Sequence, residues 1–114
     1  MDQVTIKLGE ERPRNIVSLI EGRLTAHGFE RYNISHPDAP GSPLEARFYE
    51  GKGNAHANIY IESGDCVGFV TLVDPGEKDM TRVKALFADV RNLLKQNSDL
   101  SFTIGDCSNP PEKF

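Results

Sequence analysis

The chain has 114 residues, a formal net charge of −4, 38% hydrophobic and 26% charged residues. That content suits one folded domain able to bury roughly two thirds of its unfolded surface, and it is too apolar for a disordered chain. The mild acidity argues against binding phosphate backbones, and no apolar run approaches the roughly 18 residues of a membrane-spanning helix.

Val4, Ile6 and Leu8 alternate with Thr5 and Lys7, which predicts a short first strand. Glu10, Glu11 and Pro13 then mark a helix start. Ile16, Val17, Ile20 and Leu24 recur at helical spacing, and Gly28 stands where a helix-ending glycine belongs. A first helix is expected over residues 12–27, weakened by Gly22. Residues 29–35 read as a second strand with Tyr32 and Ile34 inward. Residues 36–43 hold three prolines and a glycine, so they are expected to form a surface loop.

The organising stretch comes next, with strands expected over residues 44–50, 55–62 and 66–73. Ala55, Ala57, Ile59 and Ile61 alternate with His56, Asn58, Tyr60 and Glu62, so the first set should face the core. If Glu50 pairs with Ala55, then Phe48 and Ala46 share that core side, and Glu45, Arg47 and Tyr49 face away. A two-residue loop of Ser63-Gly64 or Gly64-Asp65 puts Cys66, Gly68, Val70 and Leu72 on the core side in either register. Val67, Phe69, Thr71 and Val73 are then expected on the opposite face, beside His56, Asn58 and Tyr60.

Asp74-Pro75-Gly76 is a turn signal and Asp79 a candidate N-cap. Met80, Val83, Leu86, Phe87, Val90, Leu93 and Leu94 form the apolar face of a second helix, with Lys95 near its end. Leu100, Phe102 and Ile104 alternate as a final strand. The order β-α-β-β-β-β-α-β implies an α+β fold, a two-layer sandwich with two helices on one face of a mainly antiparallel sheet. Residues 1–107 are expected to form this one domain, followed by a loose tail over 108–114.

Catalytic signals are sparse. Nucleotide loops, HExxH and GxSxG motifs are absent, and Gly51-Lys52-Gly53 lacks a following helix to hold an anion. Three scattered histidines do not signal a metal site, and no cofactor is expected. His27 suits a helix C-terminus, where a cation offsets the dipole. His36 and Asp38 flank Pro37 without a convincing catalytic pattern. Cys66 and Cys107 fit no zinc or redox motif; they are expected reduced, with a bridge between them left open. The N-terminus shows no positive n-region or apolar h-region, so a cytoplasmic setting is expected.

Recognition is the stronger reading of the open face. Tyr49, Tyr60 and Phe69 offer aromatic surface, and Glu45, Arg47, His56 and Asn58 give it polar neighbours. Glu62 and Asp65, in an acidic turn at one end of the sheet, could steer a basic partner. Small acidic α+β proteins without catalytic motifs are common among bacterial immunity and inhibitor proteins, and a non-enzymatic binder of another protein is expected by that analogy of class. Secretion chaperones are similar in size and acidity, which makes a homodimer the alternative. A small enzyme centred on His56, Tyr49, Tyr60 and Glu45 is the third reading.

Overall fold

A computed structural model describes residues 2–35, 45–51, 55–73, 80–97 and 100–104. Its elements run β1 (Asp2–Leu8), α1 (Pro13–Ala26), β2 (Glu30–Ser35), β3 (Glu45–Glu50), β4 (Ala55–Ser63), β5 (Cys66–Val73), α2 (Thr81–Gln96) and β6 (Phe102–Ile104). The order is the expected one, and the bounds shift by one or two residues at most ends. Asp79, the 36–43 loop and the 108–114 tail lie outside the described residues.

The six strands form one sheet in the order β2-β3-β4-β5-β1-β6, and every pairing is antiparallel. β1 and β2 therefore run the same way at separated positions, and α1 crosses the sheet to join them. α2 likewise joins β5 to β6 across β1, which lies between them. Ile16, Val17, Ile20 and Leu24 of α1 and Val83, Leu86, Val90 and Leu94 of α2 are buried in one apolar cluster. Their sheet partners are Val4, Ile6, Leu8, Ile59, Ile61, Val67 and Phe69. Both helices thus cover the same face.

Local chemistry sets the ends of α1. Pro13 opens it, where the absent N–H costs nothing. At the other end the N–H of Gly28 donates to the Thr25 carbonyl at 3.0 Å, and that of Phe29 to the Leu24 carbonyl at 2.9 Å. Gly28 has φ +82°, a left-handed geometry that other residues adopt only with strain. This paired closure buries Phe29 against the helix it ends.

Two strands turn the opposite way from expectation. Ala57, Ile59 and Ile61 face the helices as expected, but they pair with Tyr49, Arg47 and Glu45 on one side and Thr71, Phe69 and Val67 on the other. Directly paired residues share a face, so Glu45, Arg47, Tyr49 and Phe69 lie under the helices rather than on the open face. Cys66, Gly68, Val70 and Leu72 take the open side, as do Ala46 and Phe48. Tyr32, expected inward, is 54% exposed.

The causes are local. At the first hairpin the N–H of Gly51 donates to the Ala55 carbonyl, so Gly51 rather than Glu50 closes against Ala55. At the second, Ser63 pairs with Cys66 around a Gly64-Asp65 loop, as one expected register required. Then the ladder slips between Ile61 and Ser63, and Ile61 meets Val67 instead of Gly68. A bulge of one residue reverses the face of every residue beyond it.

Candidate binding face

The helix-free side of the sheet is the candidate site. Its side chains fall into rows set by the ladder. Glu30, Glu50, His56 and Leu72 form one row, and Phe48, Asn58, Val70 and Gln3 the next. Ala46, Tyr60, Gly68 and Thr5 form the third. Cys66 and Lys7 continue the face toward the second hairpin.

Three rings run across the β2–β4 half. The centroids of Tyr32 and Phe48 are 6.4 Å apart, and those of Phe48 and Tyr60 6.3 Å apart at an edge-to-face angle of 80°. Asn58 Nδ2 donates to the Tyr60 hydroxyl at 2.9 Å, which orients the phenol along the face. Such ring contacts are favourable in themselves, and edge-to-face geometry suits the ring quadrupole. Ala46, directly opposite Tyr60, is too small to project beyond it and is itself buried.

The rim of this half is acidic. Glu30 and Glu50 stand directly opposite one another on β2 and β3, both exposed. Like charges in that position repel. Lys7 is the only cation on this face among the described residues, and its Nζ lies 2.9 Å from Asp65 Oδ2.

Of the nine residues expected at a partner surface, His56, Asn58 and Tyr60 stay on the open face. Glu62 and Asp65 are exposed at the second hairpin. Glu45, Arg47, Tyr49 and Phe69 belong to the helix side. There Arg47 Nε donates to Glu45 Oε2 at 2.6 Å and Nη1 to Glu21 Oε2 at 3.0 Å. The Tyr49 hydroxyl also donates to Glu21 Oε2. Arg31 and Arg14 approach Glu21 and Glu45 from the solvent side. Burial opposes the charge of Arg47, but the bond to Glu45 and the charges of both glutamates outweigh it and raise its pKa. Burial first, and then Glu21, push the Tyr49 phenol well above its ordinary range.

This network anchors α1 to β3. It also separates His56 from Tyr49 and Glu45 by the thickness of the sheet, so the constellation expected for acid–base work is not assembled. His27 is the C-cap of α1 as its position predicts, and its Nε2 donates to Asp89 Oδ2 at 2.8 Å, joining α1 to α2, a link that the sequence reading did not foresee. Among the described residues no group of His, Cys, Asp and Glu is arranged to hold a metal ion. No helix among them is long and apolar enough to cross a membrane.

Cys66 is disulfide-bonded, which corrects the expectation of a reduced thiol. The other cysteine of the sequence, Cys107, lies outside the described residues.

Sequence reasoning missed Phe48, Tyr32, Val70 and Leu72 as open-face residues. β5 is apolar at both parities, and β3 carries an aromatic at each, so alternation alone could not orient them. No protein-family model matches the chain, and no curated protein matches it.

Proposed function

We propose that this chain is a non-enzymatic module that binds another protein through the β2–β4 half of its open sheet face. The observation that carries the reading is the ring row Tyr32–Phe48–Tyr60 on a face that neither helix covers. Tyrosine and phenylalanine are enriched at interface cores, where they bury large area at little conformational cost. The opposed pair Glu30 and Glu50 at the rim favours a partner with a basic side chain beside an apolar one. Nucleic acid fits less well, because Arg47 is turned to the helix side and, among the described residues, Lys7 is the only cation on the open face.

An inhibitor or immunity-type role, in which the module neutralises its partner, suits a small acidic chain in which, among the described residues, His56 lies on the opposite sheet face from Tyr49 and Glu45. The cytoplasmic setting suggested by the sequence requires reduced cysteines, and the Cys66 disulfide favours an oxidising compartment instead.

A photo-crosslinking amino acid placed at Tyr60 tests the proposal, with the same group at Lys84 on the exposed side of α2 as control. One partner captured at position 60, absent at 84 and lost with Tyr32→Ala, supports it. Equal capture at both positions, or none at 60, overturns it. A crosslinked second copy of the chain would make the face a homodimer interface, which sedimentation of wild type against Tyr60→Asp then checks.

A further inference from the structure

The helix layer carries a charge pattern that binding at the open face does not use. Arg82, Lys84, Arg91 and Lys95 of α2 are all exposed. None of them forms an ion pair among the described residues, although the chain as a whole is acidic. The carboxylate of this helix, Asp89, is already held by Arg23 and His27 of α1. Lys84, Arg91 and Lys95 stand at i, i+7 and i+11, which puts them on one stripe about 16 Å long. Asp89, which meets α1, lies roughly 140° around the helix from that stripe, so the cations occupy the flank turned away from α1. Beside them Thr81, Ala85, Ala88 and Asn92 form a second row of short, exposed side chains. The exposed large hydrophobic side chain among the described residues is Tyr32, on β2.

We propose that this outer flank of α2 docks an acidic helix of another protein, laid antiparallel along it. Complementary charge selects the occupant, because a row of cations without carboxylate partners attracts a row of carboxylates. The spacing sets its pattern. Read in the antiparallel sense the cations run Lys95, Arg91, Lys84, so the matching acids stand at i, i+4 and i+11 of the partner helix. That sense also places an acid of the partner's first turn beside Lys95 in the last turn of α2, where both helix dipoles favour the charges present. The short row through Ala85 and Ala88 lets the two axes approach to about 8 Å. A bilayer is a poorer match, since this flank has no exposed bulky apolar residue to insert. So is a nucleic-acid duplex, which carries a charge about every 1.7 Å of its axis, against one cation per roughly 6–10 Å on the stripe. Pairs as exposed as these contribute little singly and are screened by salt, so the complex is weak and salt-sensitive. The flank lies on the other side of the sheet from Tyr60, and the inference stands whether or not the open face has a partner.

The test uses the full chain and a fluorescent, alanine-rich helical peptide with Glu at i, i+4 and i+11, read by anisotropy and by backbone NMR. Saturable binding is expected, with amide shifts concentrated at Lys84, Ala88, Arg91 and Lys95. The combined variant Lys84→Gln, Arg91→Gln, Lys95→Gln should bind about tenfold more weakly, the effect of three exposed pairs together. A peptide with Gln in place of Glu should weaken by a similar factor. Persistence of the NMR contact between Phe69 and Phe87 shows that the variant is folded. A peptide of the same composition with its three Glu scattered around the helix should bind less tightly than the aligned one, and added salt should weaken the aligned one. Tyr32→Ala is expected to leave peptide binding unchanged, which separates this site from the open face, whose partner stays absent from position 84. No saturable binding, equal binding of the Gln or scattered-Glu peptides, or shifts centred away from α2 overturns the proposal. Tighter binding of a DNA duplex or of phosphatidylserine vesicles than of the aligned peptide overturns it as well, in favour of a phosphate-bearing surface.

Discussion

Phe69, on the central strand β5, stacks on Phe87 of α2 with ring centroids 6.1 Å apart and planes within 11°. The ring of Phe69 is wholly buried, and it is among the largest fully buried side chains of the core. Its partner on β4, Ile59, is equally buried and faces the same way. This contact fixes which side of the sheet the helices cover.

Phe69→Ala is therefore expected to cost about 3–5 kcal/mol, the range for emptying a buried aromatic site. Tyr60→Ala, on the open face, should cost at most about 1 kcal/mol, since it loses chiefly cross-strand contacts. Urea denaturation of both variants at neutral pH checks the contrast. A Tyr60 variant as unstable as the Phe69 variant would contradict the assignment of faces.

Thr71 shares the helix-covered face with Ala57 and is wholly buried. Its Oγ1 has no hydrogen-bond partner among the described residues. Removing a hydroxyl that has lost water without gaining a partner should not destabilise. Thr71→Val keeps the shape of the side chain and is expected to leave stability unchanged or raise it by about 1 kcal/mol. Thermal unfolding of the variant against wild type reads the sign.

Tyr49 should resist ionisation. Burial, and then the bond to and charge of Glu21, raise its pKa in the folded chain. The unfolded phenol titrates near its ordinary value of about 10. The contribution to stability is thus complete below that pH and is lost as pH rises through the folded pKa. Tyr49→Phe should lower stability by about 1.5–3 kcal/mol at pH 8, the scale of a hydrogen bond to a charged group. The gap between wild type and variant should narrow above pH 10. Denaturation midpoints across pH 8–11 measure it.

Asp89 behaves in the opposite sense. The hydrogen bond from His27, followed by that from Arg23, lowers its pKa. Its contribution is present above the ordinary carboxylate pKa and is lost as pH falls through the depressed folded value. The carboxylate remains partly exposed, so Asp89→Asn should cost only about 0.5–1 kcal/mol at pH 7. The two proteins should converge in acid below the folded pKa. Stability measured from pH 7 down to pH 2 would show that convergence.

Much of the architecture was legible because its signals are local. Pro13 and Gly28 mark the ends of α1 through backbone geometry that a few neighbouring residues set. The apolar stripes of both helices and of β1 and β4 depend only on spacing, and each of them faces the core as read. The site was less legible. His56, Asn58 and Tyr60 kept their expected face because β4 has one plainly apolar side. Their expected companions changed sides because β3 and β5 present usable side chains at both parities. Gly51 illustrates what decides such cases. A Cβ added there would lie 2.9 Å from the Phe29 ring, so the hairpin closes at the one residue that admits the ring.

The amino-acid order alone determined which segments become strands and helices, and which residues end them, because those outcomes follow from spacing and short-range sterics. Folding in three dimensions decided which face of β3 and β5 meets the helices. A one-residue bulge after Ile61 and the closure at Gly51 reverse those strands, and the bulk of Phe69 beneath Phe87 rewards that reversal.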